Sequence, residues 1–261
     1  MTTGIQVQQG TGGDRSVVVR IPAPWLRYAR GPRRDLDQIL GDNPRAVFAC
    51  DGTMFEATAG TDVLLNYDAV LGVNVPSRKP DEGMTVAVVG GVAQAVYGGI
   101  LPPGATVAVQ TWPSLVRDGV AVPHDTPANR ERVWRIGMGV DGHGYVVVVM
   151  LVGAMIDLSN RMVREGLRNA GYLDGGSSLA AAALGASPFR RTHTAPSGVR
   201  VPGWVLAVPP DGAPPASAPV PPRAAPAPAA PPTSSRAGAV VKTACVVTIL
   251  GLFGWIVNSD S

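Results

Sequence analysis

Between Ser16 and Val208 the chain alternates short apolar runs with breaks rich in Gly, Asp and Pro, a rhythm that predicts many strands and few helices. Ser16-Val17-Val18-Val19-Arg20-Ile21 reads as the first strand and Arg45 to Cys50 as a second, with a short helix over Asp35 to Leu40 ended by Gly41 and Pro44. Thr85 to Val89 and Val92 to Tyr97 flank Gly90-Gly91, a two-residue hairpin signal. Ala105 to Gln110 is a further strand, and Asp118-Gly119 marks a turn. Trp134 to Val140 and Tyr145 to Val152 flank a second hairpin at Asp141-Gly142-His143-Gly144. The unbroken apolar run Tyr145 to Val152 is typical of a strand covered on both faces. Leu158, Met162, Val163, Leu167 and Ala170 recur at helical spacing and predict a helix over Asp157 to Ala170. Asp157 or Ser159 is placed to cap its start, and Gly171 stands where a C′ glycine belongs. Trp204 to Val208 closes the domain as a last strand. The pattern predicts an α+β fold: a mixed, largely antiparallel sheet flanked by few helices.

Composition then divides the 261 residues. Residues 1–15 are polar and Gly-rich, without the apolar core of a signal peptide, so export by that route is not expected. Residues 16–208 form the globular domain. The segment 209–236 holds eleven prolines between Pro209 and Pro232 among mostly Ala, Ser and Val, and is expected to be an extended spacer. At about 3.1 Å per residue those 24 positions reach roughly 75 Å. Ala237 to Val257 is apolar except for Lys242 and is long enough, at roughly 31 Å as a helix, to cross a bilayer core. With Arg236 and Lys242 on its upstream side it predicts a single-pass tail anchor with the main domain cytoplasmic. The alternative is a hydrophobic tail that only associates with a membrane or a virion.

Net charge is +3, and three cations against two acids beyond residue 208 supply +1 of it. The domain is therefore only weakly basic, and Arg33-Arg34 and Arg190-Arg191 are too sparse for a nucleic-acid footprint. The two cysteines, Cys50 and Cys245, lie in different segments and imply no disulfide framework. Cys50 is read first as a small buried strand residue and second as a nucleophile beside Asp51. The three histidines lack metal-ligand spacing, and no metal site or cofactor is predicted.

The candidate chemistry lies at two strand ends. Tyr172-Leu173 end one apolar run and deliver Asp174-Gly175-Gly176-Ser177-Ser178, a carboxylate followed by backbone N–H groups and hydroxyls that suit an anionic or sugar-like ligand. On spacing alone the same stretch also reads as a plain turn. Arg45 to Cys50 delivers Asp51-Gly52-Thr53-Met54-Phe55, again a carboxylate and then glycine.

The order of these pieces resembles the phosphodiester glycosidase family. Ala46-Val47-Phe48-Ala49-Cys50-Asp51-Gly52-Thr53-Met54-Phe55 is similar to that family's A-x-x-x-N-G-G-F-F block. Gln110 to Gly119 resembles its Q-x-x-P-x-L-V-x-x-G, Arg135 to Asp141 its R-T-A-I-G-x-D, and Leu173 to Ser178 its closing L-D-G-G-G-S-S. Asp51 stands where the family has Asn, Met54 replaces a Phe, and the last loop is one glycine short. The resemblance implies hydrolysis of the bond between a sugar, similar to N-acetylglucosamine, and a phosphodiester. It implies Asp174 as the first carboxylate and Asp51 as the second if the two loops converge. Arg135 would grip the phosphate, the other reading being an ordinary surface or ion-pair arginine. Gly175, Gly176, Ser177, Ser178, Gly52, Thr53 and Gln110 would line the substrate. A divalent cation between the two aspartates is not expected. A non-catalytic sugar-phosphate-binding module of the same fold is the second reading. A nucleotide-directed phosphodiesterase is third, since it lacks a metal-ligand cluster.

Overall fold

The computed structural model describes residues 4–10, 15–52, 55–58, 61–64, 82–98, 100–175, 181–183 and 201–212. The chain divides into Met1–Ala224 and Ala225–Ser261, and every described element belongs to the first unit. The expected anchor over residues 237–257 lies outside the described residues. Among those described, no helix is long and apolar enough to cross a membrane.

β1 (Gln6–Gln9) and β2 (Ser16–Pro22) open the chain as an antiparallel pair. A 3-10 turn, Ala23–Trp25, leads into β3 (Leu26–Arg34). α1 (Leu36–Asp42) begins where the Asp35 carboxylate accepts the Gln38 amide at 2.9 Å and Gln38 Oε1 accepts the Asp35 amide at 3.1 Å, a reciprocal cap. The helix runs through Gly41 to Asp42, past the expected end at Leu40, and Asn43 closes it by donating its amide to Ile39 O at 3.1 Å. β4 (Phe48–Asp51), β5 (Phe55–Thr58) and β6 (Thr61–Leu64) follow. β7 (Met84–Val89) and β8 (Val92–Tyr97) form the expected hairpin, and Gly90 and Gly91 adopt φ of +56° and +81°, as that turn requires. β9 (Ala105–Thr111), β10 (Ser114–Arg117) and β11 (Val120–Ala121) precede a short α2 (Pro127–Arg130). β12 (Val133–Val140) and β13 (Tyr145–Gly153) make the second hairpin. α3 (Met155–Arg164), β14 (Ala170–Tyr172), β15 (Ala181–Ala183) and β16 (Val201–Ala207) complete the set.

The strands form a seven-stranded sheet ordered β1-β2-β13-β12-β14-β10-β11, a four-stranded sheet β15-β4-β16-β3, a three-stranded sheet β8-β7-β9 and the β5-β6 pair. All strand pairs among the described residues are antiparallel, so the architecture is α+β or mainly β with few helices. The main core lies between sheets, where Val19, Ile136, Val148 and Met150 meet Phe48, Cys50, Val205 and Val86. The outer face of β13 turns Val147 and Val149 toward Met155, Leu158 and Met162 of α3. Both faces of β13 are covered, which is why its sequence is apolar without alternation. On the four-stranded sheet, α1 covers Ala49, Trp204 and Leu206 with Leu36 and Ile39.

The third helix differs from its expected span. It starts at Met155 and stops at Arg164, and Gly166 at φ +82° supplies the left-handed residue after it. Leu167 and Ala170 still bury in the α3 core, but from the return turn and β14, so they continue the helical spacing without the helix. Asp157 does cap the helix, accepting the Ala154 amide at 2.9 Å from inside the first turn, whereas Ser159 donates to Met155 O. An ion network ties β2 to this helix: Arg20 reaches Asp141 at 3.4 Å and Glu165 at 2.7 Å, and Glu165 also holds Arg161 at 2.7 Å.

Candidate functional site

β14 is only three residues long and pairs with β12, Tyr172 opposite Gly137 and Gly171 opposite Met138. One residue later Leu173 still donates its amide to Ile136 O at 3.0 Å. Then the chain leaves the seven-stranded sheet, and the Asp174 amide donates instead to Gly52 O at 2.9 Å. Gly52 in turn donates to Gly203 O at 3.0 Å, so the end of β4 is fixed to β16 while it receives Asp174. The two strand ends singled out in the sequence therefore meet, through backbone.

Their carboxylates are placed differently. Asp51 is 0 % exposed and pairs with Trp204, on the α1-facing side of the sheet with Ala49 and Leu206. Its neighbours Phe48 and Cys50 point the other way, into the core between sheets. Asp174 is half-buried, and its Oδ1 accepts the Gly175 amide at 3.0 Å. The two loops thus converge through the backbone, while Asp51 sits wholly beneath the surface. Cys50 is fully buried, and burial first, then the Asp51 charge, pushes its thiol well above the ordinary value. A thiol held protonated is a poor nucleophile, so the reading as a buried strand residue stands.

Arg135 is a buried residue rather than a surface arginine. It is 4 % exposed; Nε donates to Gly153 O at 3.0 Å, and Nη2 donates to Ala128 O at 2.8 Å and Glu131 O at 3.2 Å. Burial raises the Tyr172 phenol above its ordinary value, the Arg135 charge opposes that rise and the Asp174 charge adds to it. Gln110 is buried in β9 opposite Thr85, one residue before Thr111, whose side chain fills the space a side chain on Gly171 would need. That packing, and not a helix end, is why position 171 is glycine. Thr53, Gly176, Ser177 and Ser178 lie outside the described residues. Among the described residues no group of three His, Cys, Asp or Glu side chains is close enough to hold a metal ion.

Two residues at this junction escaped the sequence reading. Tyr172 scored there only as an apolar strand end, although its hydroxyl lies 2.6 Å from where a Gly175 Cβ would stand. Tyr28, on β3, packs its ring over Gly52 and Gly203, with Cε2 at 2.7 Å from a Cβ built on Gly52. Nothing local to Tyr28 marks it; a glycine directly after a strand-end carboxylate was the available hint that something presses on the backbone.

Residues 44–202 match the family model described as phosphodiester glycosidase. Among solved structures, the chain is similar to the zebrafish N-acetylglucosamine-1-phosphodiester alpha-N-acetylglucosaminidase catalytic domain auto-inhibited by pro-peptide. There the TM-score is 0.56 at 17 % identity, over 79 % of this chain and 82 % of that one. A hypothetical protein from Synechocystis matches with a TM-score of 0.46 at 16 % identity, over 78 % of this chain and 62 % of that one. No curated protein matches the chain.

Proposed function

The chain belongs to the phosphodiester glycosidase family, and from that premise we propose that it hydrolyses the glycosidic bond of a sugar-1-phosphodiester whose sugar is similar to N-acetylglucosamine. The observation that carries this reading is the 2.9 Å hydrogen bond from the Asp174 amide to Gly52 O, which joins the two carboxylate-bearing blocks into one site. A phosphodiester is a good leaving group, so the main demand is to stabilise an oxocarbenium-like centre and to supply a nucleophile or activate water. Asp174, half-buried and at the loop mouth, takes that part. Asp51 supports it from below, through the β4 end that carries Gly52. Gly175 and Gly52, with Thr53, Gly176, Ser177, Ser178 and Gln110, line the sugar phosphate. A bound oxyanion would compete with Asp174 Oδ1 for the Gly175 amide.

The test is release of free sugar from UDP-N-acetylglucosamine and from methyl-phosphoryl-N-acetylglucosamine by the purified protein. Asp174→Asn is expected to lower the rate by about 10³-fold or more, on the scale of losing an essential acid–base or nucleophilic group. A folded wild-type protein that releases no sugar overturns the reading. If it still binds the sugar phosphate, the second reading, a non-catalytic module, takes its place; the full burial of Asp51, where the family block has Asn, favours that alternative.

The same proposal extends to the tail: residues 237–257 anchor the chain in a membrane, with the domain on the cytoplasmic side because Arg236 and Lys242 lie upstream. Residues 209–261 appended to a soluble reporter are expected to carry it into the membrane fraction. A reporter that stays soluble sinks the anchor.

A further inference from the structure

Three strands of the seven-stranded sheet reach the candidate site side by side, and their register sets a row of side chains there. Trp134 on β12 pairs with Val152 on β13. Val152 in turn donates its amide to Arg15 O at 3.1 Å, one residue before Ser16 pairs with Leu151. β14 has ended at this level, and the Trp134 carbonyl oxygen lies 3.2 Å from a Cβ built on Gly175. Side chains alternate between the two faces of a strand. Val17, Ile136 and Met150 bury in the core between sheets, so Arg15, Trp134 and Val152, each two residues away, leave from that same face. They make the next layer outward: Trp134 and Val152 are half-buried and Arg15 is exposed. The Arg15 guanidinium lies over the Trp134 ring, 5.5 Å from its centroid. With neighbouring strands about 4.8 Å apart, that contact carries the charge back across β13 toward the strand beside Gly175.

A cation over an aromatic face is held by the ring quadrupole, while guanidinium N–H donors point outward in the plane of the group. Stacking therefore holds Arg15 in place and leaves its donor edge open. Among the described residues no carboxylate pairs with it. We propose that Arg15 binds the phosphodiester group of the substrate beside Asp174–Gly175, and that Trp134 positions it. The effect on turnover rests on the glycosidase reading; anion binding at Arg15 does not. A phosphodiester carries one negative charge on two free oxygens, which match the parallel N–H groups of a guanidinium edge. Arg15 precedes residues 44–202, so the cation comes from the chain's own amino-terminal segment and not from the part matched to the family.

The experiment measures binding of methyl-phosphoryl-N-acetylglucosamine by calorimetry to the full chain carrying Asp174→Asn, which blocks turnover and cannot weaken an anion by charge. N-acetylglucosamine alone is the uncharged reference. Arg15→Gln is expected to weaken the phosphodiester about tenfold or more, the scale of hydrogen bonds to a charged group, with N-acetylglucosamine within about twofold. Arg15→Lys should recover only part of the loss, since it keeps the charge without the fork. Trp134→Leu is expected to weaken the phosphodiester about threefold and Trp134→Phe to restore it, the scale of one cation–π contact. With Asp174 intact, Arg15→Gln should raise KM for sugar release about tenfold and leave kcat within about twofold. Because Arg15 is exposed, this variant decides the matter even if the Trp134 variants fail to fold. Unchanged phosphodiester affinity in Arg15→Gln overturns the proposal, as does an equal loss for N-acetylglucosamine or a parent chain that binds no phosphodiester. Sugar release with an unchanged KM in Arg15→Gln removes the phosphate contact and leaves the glycosidase reading standing. Binding that Arg15→Gln weakens, in a protein that releases no sugar, upholds the contact and removes the glycosidase reading.

Discussion

Gly52→Ala places a methyl group at the point where the two halves of the site meet. Gly52 is not in the left-handed region, so the penalty is steric rather than conformational. The added Cβ would stand 2.7 Å from Tyr28 Cε2, 2.9 Å from Tyr28 Oη and 3.0 Å from the Gly203 carbonyl carbon. Ordinary contact begins near 3.4 Å, so the Tyr28 ring must withdraw by about 0.7 Å, or the backbone of Gly203 must move. Tyr28 is buried in the main core and cannot tilt freely, while Gly203 is tied to Gly52 by the 3.0 Å hydrogen bond. Overpacking of this kind costs about 1–3 kcal/mol. The reduced freedom of the unfolded chain offsets about 0.4–1 kcal/mol, leaving a net loss of about 1–2 kcal/mol. Urea unfolding of Gly52→Ala, of Tyr28→Leu and of the double variant measures it. The double variant is expected to recover about 1 kcal/mol or more relative to the sum of the singles, because the methyl then occupies space the ring has vacated. Sugar release should fall about tenfold in Gly52→Ala, since the carbonyl that receives Asp174 moves with the clash. A midpoint within about 0.5 kcal/mol of wild type, or additivity in the double variant, would refute the steric reasoning.

Glu165→Gln leaves Arg20 and Arg161, both only partly exposed, without the carboxylate they share at 2.7 Å, and is expected to cost about 2–3 kcal/mol by urea unfolding. A loss under about 0.5 kcal/mol would mean water already carries the network. Asp35→Ala removes the carboxylate that accepts the Gln38 amide and should cost about 1 kcal/mol, while Asp35→Asn should restore most of it. The Cys50 thiol is raised well above its ordinary 9.0, so as pH rises past that value the unfolded chain loses this proton before the folded one does. Its contribution is therefore level below pH 9 and falls above it, at about 1.4 kcal/mol per pH unit. Tyr172, also raised, adds the same sign above 10.0. Cys50→Ala should flatten the first part of that alkaline slope, and an unchanged slope would exclude Cys50 as its source. In a Cys245→Ser background, the folded protein should resist iodoacetamide at pH 8 and react on unfolding.

What the sequence made legible was what neighbours along the chain decide. The Gly90-Gly91 turn follows from two residues that must both adopt positive φ, and β13 follows from an apolar run too long to alternate. α3 was misjudged at its carboxyl end because Leu167 and Ala170 keep the helical spacing while burying from a turn and a strand. Spacing reports which face a residue buries, and two different backbones can satisfy it. The surroundings of Arg135 stayed hidden for a related reason. Its alternatives were solvent or ligand, yet its partners are carbonyls contributed from residues 128, 131 and 153, none of which sequence marks as acceptors in need of a donor.

The site itself was half legible. A carboxylate and glycine after an apolar run pointed to both Asp51-Gly52 and Asp174-Gly175, but nothing in either stretch says that they touch. Their meeting depends on the length of β14. Had the strand run longer, Asp174 would have continued along β12; after three residues and Leu173 it crosses to Gly52 instead. Antiparallel sheets have no common carboxyl edge at which a site collects by default, so a site arises where one strand abandons its sheet for another. The crossing needs a backbone without side chains, because Tyr28 and Tyr172 press hydroxyls against positions 52, 203 and 175. Tolerance to substitution here should therefore follow clearance around the backbone rather than polarity. A serine at 52 or 175 is expected to disturb the site as much as an alanine does, despite supplying a hydroxyl.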